Sequence, residues 1–543
     1  MTGKTATFSL LILLCIGGGW FPKAAQTGVF GAPGPGDLDP TYGSGGKVRT
    51  EFTPTATMGG AALQPDGKIV IAGVAGTTDP YMVIRYTSGG SPDLTFGSAN
   101  GRQPSPFIVF ARAVAIQPDG KIIVGGIGQG NLPFSVALFR LNPAGSTDTS
   151  FGSGGLVTVN FPAESSVYDI VVLSDGKILL CGEVFLDNSF LLIRLNPNGT
   201  LDTSFGNGGT VRAKMGPTNQ LIGGARAIAI QPDQKIVAVG FAEDSWAIAR
   251  FHPNGQVDES FSNDGKILLN FGIGTEEATD VVLQPDGKIV VAGWRSGPTA
   301  VVARLNSDGS IDDTFGSGAN GIVQPMEASN RATSLALDAS GKILVAGDIF
   351  QSLQNDLTLI RLNTDGSKDT SFAGSGIVFT DFGVDDRAVE LLQQPDGRVV
   401  VAGHSVNNGT GAFVLARYLT VTPEPVLQIE AGSNHAIAFD SVTFQRDPFS
   451  IANDFNLSPD HRTRIILFTA NVDSGENSAA VTVLAEDSNG VHNLPVEFVG
   501  KVPGFDWLTQ VVVKLPEGLA KGNALVSVTF DGKTSNKGVI VIE

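Results

Sequence analysis

Cysteine is almost missing from this chain: of 543 residues only Cys15 and Cys181 carry a thiol. A disulfide framework is excluded, and Cys181, ending the run ILLCG, reads as a small buried hydrophobe. Histidine is as scarce. His252, His404, His435, His461 and His492 are scattered, with no His-x-His, HExxH or Cys-x-x-Cys among them. Nucleophile elbow, phosphate-cradling loop and dinucleotide fingerprint are missing too; the glycine-rich piece 17–19 lies in the leader. Basic residues number 36 against 53 acidic ones, giving a net charge of −17. That sign opposes tracking of a phosphate backbone, so no nucleic-acid partner is expected. The apolar run at 8–16 (FSLLILLCI) is too short to span a bilayer, so no transmembrane segment is expected in the mature chain. Between residues 40 and 420 no segment has room for more than a few helical turns, which excludes an α/β solenoid.

What the chain does have is glycine, 69 residues, and a repeat. An Asp followed three residues later by an aromatic recurs at Asp39, Asp93, Asp148, Asp202, Asp258, Asp312 and Asp369, with steps of 54 to 57. An Arg closes a short apolar strand in each copy: Arg85, Arg140, Arg194, Arg250, Arg304, Arg361 and Arg417. A turn glycine precedes a β-branched run in every copy but one, where Gln234 replaces it. Each period holds four short strand candidates bounded by Gly, Asp, Asn or Pro, and Asp-Gly suits a two-residue hairpin. A repeat of this length with four antiparallel strands predicts a propeller blade. A parallel β-helix would have shorter coils and no need of a hairpin turn in each.

The ends of the array sharpen this. Its first strand, Lys47–Phe52, has the pattern of an outermost strand, whereas its last, at 413–418, is third in its blade and lacks a fourth. Pairing the two closes a ring of seven blades and removes an open sheet edge. The sequence therefore predicts an all-β chain: a seven-bladed propeller over 39–419, closed by its terminal strands, followed by a small sandwich.

Residues 1–25 read as a secretory signal, with cleavage near Ala25; lipidation at Cys15 is the alternative. Residues 26–38 form a Gly/Pro-rich lead-in expected to be poorly ordered. After a Pro-marked linker at 420–429 the period vanishes. Six alternating segments over 430–543 suggest an immunoglobulin-like β-sandwich, with Trp507 as a core anchor. Within the array, LSDG in the third copy stands one residue short of LQPDG, and Gln393 puts an amide on an otherwise apolar inner strand.

The recurrent Arg and Asp are read as a structural brace, with Arg pinning the turn and the aromatic filling the wedge between blades. The turns Asn306–Asp312 and Asn363–Asp369 space oxygen ligands loosely like a calcium loop, yet lack its alternating ligands and terminal Glu. Asx turns account for the same residues. No cofactor is expected, with Ca2+ the one ion the turns would suit. The connections between second and third strands, and between blades, differ in every copy and share one face. Variable loops on a rigid scaffold are the usual place for binding. That face carries Glu183, Asp187, Glu243, Asp244, Glu276, Glu277, Asp348, Asp356, Asp385 and Asp386, an acidic rim that would favour a cationic partner.

Together LQPDGKIVVAG, ARLNxDGSxDxTFG and GxGxVxxxF resemble the bacterial delta-60 repeat, a β-propeller family of large secreted or surface proteins. VEFVGKVPGFDWLTQVVVKLPEGL and the ending TSNKGVIVIE are similar to Ig-like terminal domains of secreted acidobacterial-type proteins. The resemblance implies a scaffold of unassigned function with no catalytic residues to transfer. The expectation is a non-enzymatic secreted or cell-surface binding protein whose partner is an extracellular protein or glycan. A polysaccharide hydrolase or lyase on a propeller, and a structural component of a surface layer, are the alternatives.

Overall fold

The computed structural model describes residues 34–543 except 77–80, 99–100, 105–107, 129–133, 186, 217–222, 273, 298, 319, 327–329, 352–353, 408, 422–425, 431–432, 444, 453–459, 471–480, 503–504 and 531, and except the side chains of 108–109, 351, 426, 501 and 505–507. The leader, most of the lead-in and the side chain of Trp507 lie outside the described residues. The described residues divide into two units, 35–420 and 421–543.

The first unit is a ring of seven four-stranded antiparallel blades, the sixth and seventh joined by a single parallel pair, Asn355 with Asp385. The fourth blade is representative: Gly223–Ile230, Ile236–Ala242, Ser245–Phe251 and Lys266–Leu269, each paired with the next. Side chains on a strand alternate between faces, and here each face meets a neighbouring blade. Ile289 and Val291 enter the core shared with the fourth blade, whereas Val290 and Ala292 enter the core shared with the sixth. Seven such cores result, one per interface. Because both faces are buried, the second strands read as unbroken apolar runs such as IVVAG rather than as alternating patterns.

The ring closes as the sequence predicts. Lys47–Phe52 pairs antiparallel with Thr410–Tyr418, with Thr50 opposite Phe413. The interface between first and last blades has a core containing Ile69, Ile71, Val400 and Phe413. The closure is longer than expected. Gly36 N–H donates to Leu419 O (2.8 Å), Leu419 N–H to Asp37 O (3.0 Å) and Asp39 N–H to Arg417 O (2.8 Å), so part of the lead-in is ordered. These bonds take up backbone groups that the end of the last strand would otherwise leave open.

Two readings of the turns need correcting. Pro65, Asp66 and Gly67 form a three-residue loop, with Gly67 N–H bonded to Gln64 O and only the glycine at positive φ (+80°). This is a type I turn followed by a left-handed glycine, for which proline at the second position is pre-set. The third copy is not shorter, since Gly176 N–H bonds Leu173 O in the same geometry and Leu173 stands where Gln64 does. Gln393 is solvent-exposed, which answers its polarity.

The second unit is a small β-sandwich. One sheet is ordered Val426–Leu427, Arg464–Ala470, Phe505–Lys514, Val496–Val502, with Ala438–Asp440 also on the second strand. The other runs Gly490–Leu494, Val481–Asp487, Gly522–Phe530, Lys533–Thr534, with Gly538–Ile542 on Gly522–Phe530. Ile465, Leu467, Val511 and Val513 from one sheet and Val483, Val526 and Ile540 from the other share its core.

Candidate functional site

The two ends of the propeller use charge in opposite ways. At the end carrying the uniform turns, every recurrent Arg and Asp is absorbed into a brace. Arg140 Nε donates to Asp148 Oδ2 (2.8 Å), Nη1 donates to Pro197 O of the next blade (2.6 Å), and the guanidinium lies 4.5 Å from the Phe151 ring centroid. Equivalent bonds join Arg85 to Asp93 and Pro143 O, Arg194 to Asp202, Arg250 to Asp258, Arg304 to Asp312 and Arg361 to Asp369. At the closure Arg417 meets Asp39 (2.9 Å) and Ser88 O (2.9 Å), so the seventh brace is made from both ends of the array. The brace therefore ties each blade to the next as well as pinning its own turn.

A lysine that sequence reading passed over completes it. Lys288 Nζ reaches Asp312 Oδ2 at 2.6 Å, and Lys121, Lys177, Lys235 and Lys342 act likewise. Burial alone would raise Asp312; the Lys288 ammonium, the Thr314 hydroxyl and N–H and the Arg304 guanidinium outweigh it and hold the carboxyl well below its usual range. The calcium-like turns are Asx turns. Asp308 accepts from Ser310 N–H and Oγ, and Asp365 from Ser367 N–H and Oγ.

Along the innermost strands every blade has a β-bulge at one level, between Val167 and Asp169 or Ala278 and Asp280, for example. An innermost strand has one edge without a strand partner, and side chains just past the bulge serve it. Asp169 accepts from Ile228 N–H of the next blade (2.9 Å) and Asp280 from Leu335 N–H (2.6 Å). Ser334 accepts from Leu391 N–H and lies 3.4 Å from Glu390. Burial pushes Asp280 up to about 7, with the nearby Asp169 adding to the rise, and burial likewise raises Asp169 and Glu390.

On the variable-loop side the arginines are individual: Arg112 and Arg226 are themselves bulge residues, and Arg331 and Arg387 lie two residues before theirs. Arg226 pairs with Glu183 of the third blade (3.2 Å) and with Glu277 of the fifth, and lies 3.8 Å from the Tyr168 ring centroid and 4.8 Å from that of Phe241. Arg387 pairs with Asp348 (3.1 Å) and Asp385 (3.1 Å). Arg112 lies 5.5 Å from the Tyr168 ring and Arg331 4.8 Å from the Trp294 ring. Both of these are exposed, and neither has an ion pair among the described residues. The contacts run from the second blade to the seventh as one arc. Phe110, Phe185 and Phe350 stand at the same end, 48, 59 and 50 % exposed.

Of the ten acidic residues expected on this face, most are engaged within the fold. Glu183, Glu277, Asp348 and Asp385 are paired as above, and Asp187 pairs with Arg212. Glu276 is buried and accepts from Phe271 N–H, while Glu243 accepts from Asn188. Asp244 is exposed. Asp356 and Asp386, with Asp381, bring one carboxylate oxygen each within 4.8 Å of one another, a group that could hold a metal ion such as Ca2+. A bare acidic rim is thus not what the folded chain presents: Arg212, Arg226 and Arg387 pair with five of the ten, the most distant 51 residues away in sequence. Residue spacing held no signal for Arg226 with Glu183 and Glu277 or for Arg387 with Asp348, because these pairs run between blades. The histidines do not converge: His435 meets Asp447, His492 meets Asp487, and burial holds His404 down at about 4.

Fold and site together define a seven-bladed β-propeller with a braced end and a variable end. Seven segments, 64–96, 117–151, 173–205, 231–261, 284–315, 339–372 and 394–421, match the family described as "Domain of unknown function (DUF5122) beta-propeller", one per blade turn. Similar solved structures include "YCF48 bound to D1 peptide" (15 % identity, TM-score 0.38, covering 71 % of this chain and 99 % of that one). A protein from Lactobacillus plantarum (15 %, 0.40, 65 % and 96 %) and Sqt1 from Chaetomium thermophilum (12 %, 0.36, 68 % and 98 %) are others. No curated protein matches the chain. No helix among the described residues is long and apolar enough to cross a membrane.

Proposed function

We propose that this chain is a non-enzymatic binding protein of the cell exterior or cell surface that recognises a protein or glycan with the variable-loop end of its propeller. One observation carries the reading. At the braced end the recurrent charges are spent within the fold, whereas the variable end leaves Arg112 and Arg331 unpaired beside aromatic rings and leaves Phe110, Phe185 and Phe350 in water. Exposed aromatics and guanidiniums are the residue types that dominate binding energy at interfaces. Guanidiniums add planar donors for carboxylate, hydroxyl or carbonyl acceptors. The carboxylates just past the bulge, Asp169 and Asp280, are engaged by backbone N–H groups, which favours binding over a hydrolase reading.

A glycan array and a proteome pull-down with the chain from residue 26 onward test this. The triple variant F110A/R112E/R331E should lose at least tenfold in affinity for any ligand found, as expected for loss of hot-spot residues. The variant L94S/I311S, at the braced end, should bind like the parent. Equal binding by the triple variant would overturn the reading.

A further inference from the structure

We propose that Asp356, Asp381 and Asp386 hold one divalent cation, calcium by the hardness of its all-carboxylate donors, at the junction where the ring closes. Asp356 lies on Gln354–Leu362 of the sixth blade, and Asp386 on Asp385–Gln393 of the seventh. Asp381 lies in the connection between them. Each carboxylate has one oxygen already engaged: Asp356 Oδ1 by Gln354 Nε2, Asp381 Oδ1 by Gly383 N–H and Asp386 Oδ2 by Phe382 N–H. The other oxygen of each accepts no hydrogen bond among the described residues.

Asp386 is the telling member. Its side chain is fully buried, and its Oδ1 has no hydrogen-bond partner. Burial raises its carboxyl above the usual range, with the Ser405 hydroxyl and the Phe382 N–H working the other way. A buried carboxylate oxygen without a donor is costly, and neighbouring carboxylates increase the cost. Two cations stand nearby: Lys47 donates to Asp381 O (2.9 Å) and Arg49 to Ser405 Oγ (2.8 Å), and neither forms an ion pair with the three carboxylates among the described residues. Three oxygens within 4.8 Å of one another fit an ion at about 2.3–2.6 Å from each, with water completing the shell.

The location gives the ion a task. Lys47 and Arg49 sit on the closing strand and hold the 381–382 connection through Asp381 O and Phe382 O (2.8 Å). An ion there would link the sixth blade, the seventh and the N-terminal strand.

Calorimetric titration of the chelator-stripped full chain with CaCl2 tests the proposal, alongside thermal unfolding with and without the ion. One saturable site per chain is expected, with a dissociation constant of about 10⁻⁴–10⁻³ M, the range of extracellular calcium modules. Calcium should raise Tm. D356N/D381N changes an exposed and a half-buried residue, so it should keep the parent's circular dichroism while losing both effects. No saturable heat up to about 10 mM CaCl2, tenfold above the weak end of that range, would overturn the proposal. So would unchanged binding by the folded double variant.

Discussion

Gln234 adopts φ +67° at a place where glycines take +80 to +86° in the other blades. Its N–H still bonds Gln231 O at 2.8 Å, so the turn keeps its geometry and the residue absorbs the strain. A side chain in the left-handed region costs roughly 1–2 kcal/mol, offset in part by the entropy glycine would lose on folding. Gln234→Gly should therefore stabilise the propeller by about 1 kcal/mol, read as a higher urea midpoint at unchanged slope. A lower midpoint would mean that the Gln234 side chain contributes more than its backbone costs. The missing glycine was visible in the sequence. The choice between strain and a changed turn was not, because it depends on whether the flanking register holds.

At the scale of the element, the innermost strands show how partly legible a propeller is. Their periodicity and the turns around them were plain from sequence, since local turn chemistry and apolar runs repeat in register. The bulge was not, because it shows only as one residue without a cross-strand partner. The carboxylates past it looked like strand polarity rather than bonds between blades. Their environment leads to a pH effect. A carboxyl whose folded pKa lies above its unfolded value keeps its proton in the native state after the unfolded chain has lost it. Stability from such a group is full below the unfolded value and falls as pH rises toward the folded one. For Asp280 that window runs from about 4, the ordinary carboxyl value, to about 7. Asp280→Asn should flatten the decline of unfolding free energy across this window, measured by urea titration at several pH values. An unchanged slope would place the titration elsewhere. The brace carboxylates act in the opposite sense. Held low, Asp148, Asp202, Asp258, Asp312 and Asp369 contribute stability that persists above about pH 4 and is lost only in strong acid.

At the scale of the whole molecule, the closing strand sets everything else. Without it the last blade would end on a bare edge and Arg417 would lose Asp39. The ring was foreseeable because two incomplete ends in one repeat have one economical solution. The site was less so. Charge counting singled out acidic residues but missed Arg226 and Arg387, which reach Glu183, Glu277 and Asp348 on other blades. The most direct test is native-state hydrogen exchange read by mass spectrometry on peptides covering Lys47–Phe52 and Thr410–Tyr418. If the strands pair as described, both segments should share slow exchange, opening only with the propeller as a whole. Exchange of Lys47–Phe52 at the rate of a free peptide, with Thr410–Tyr418 still protected on one side only, would contradict the closed ring.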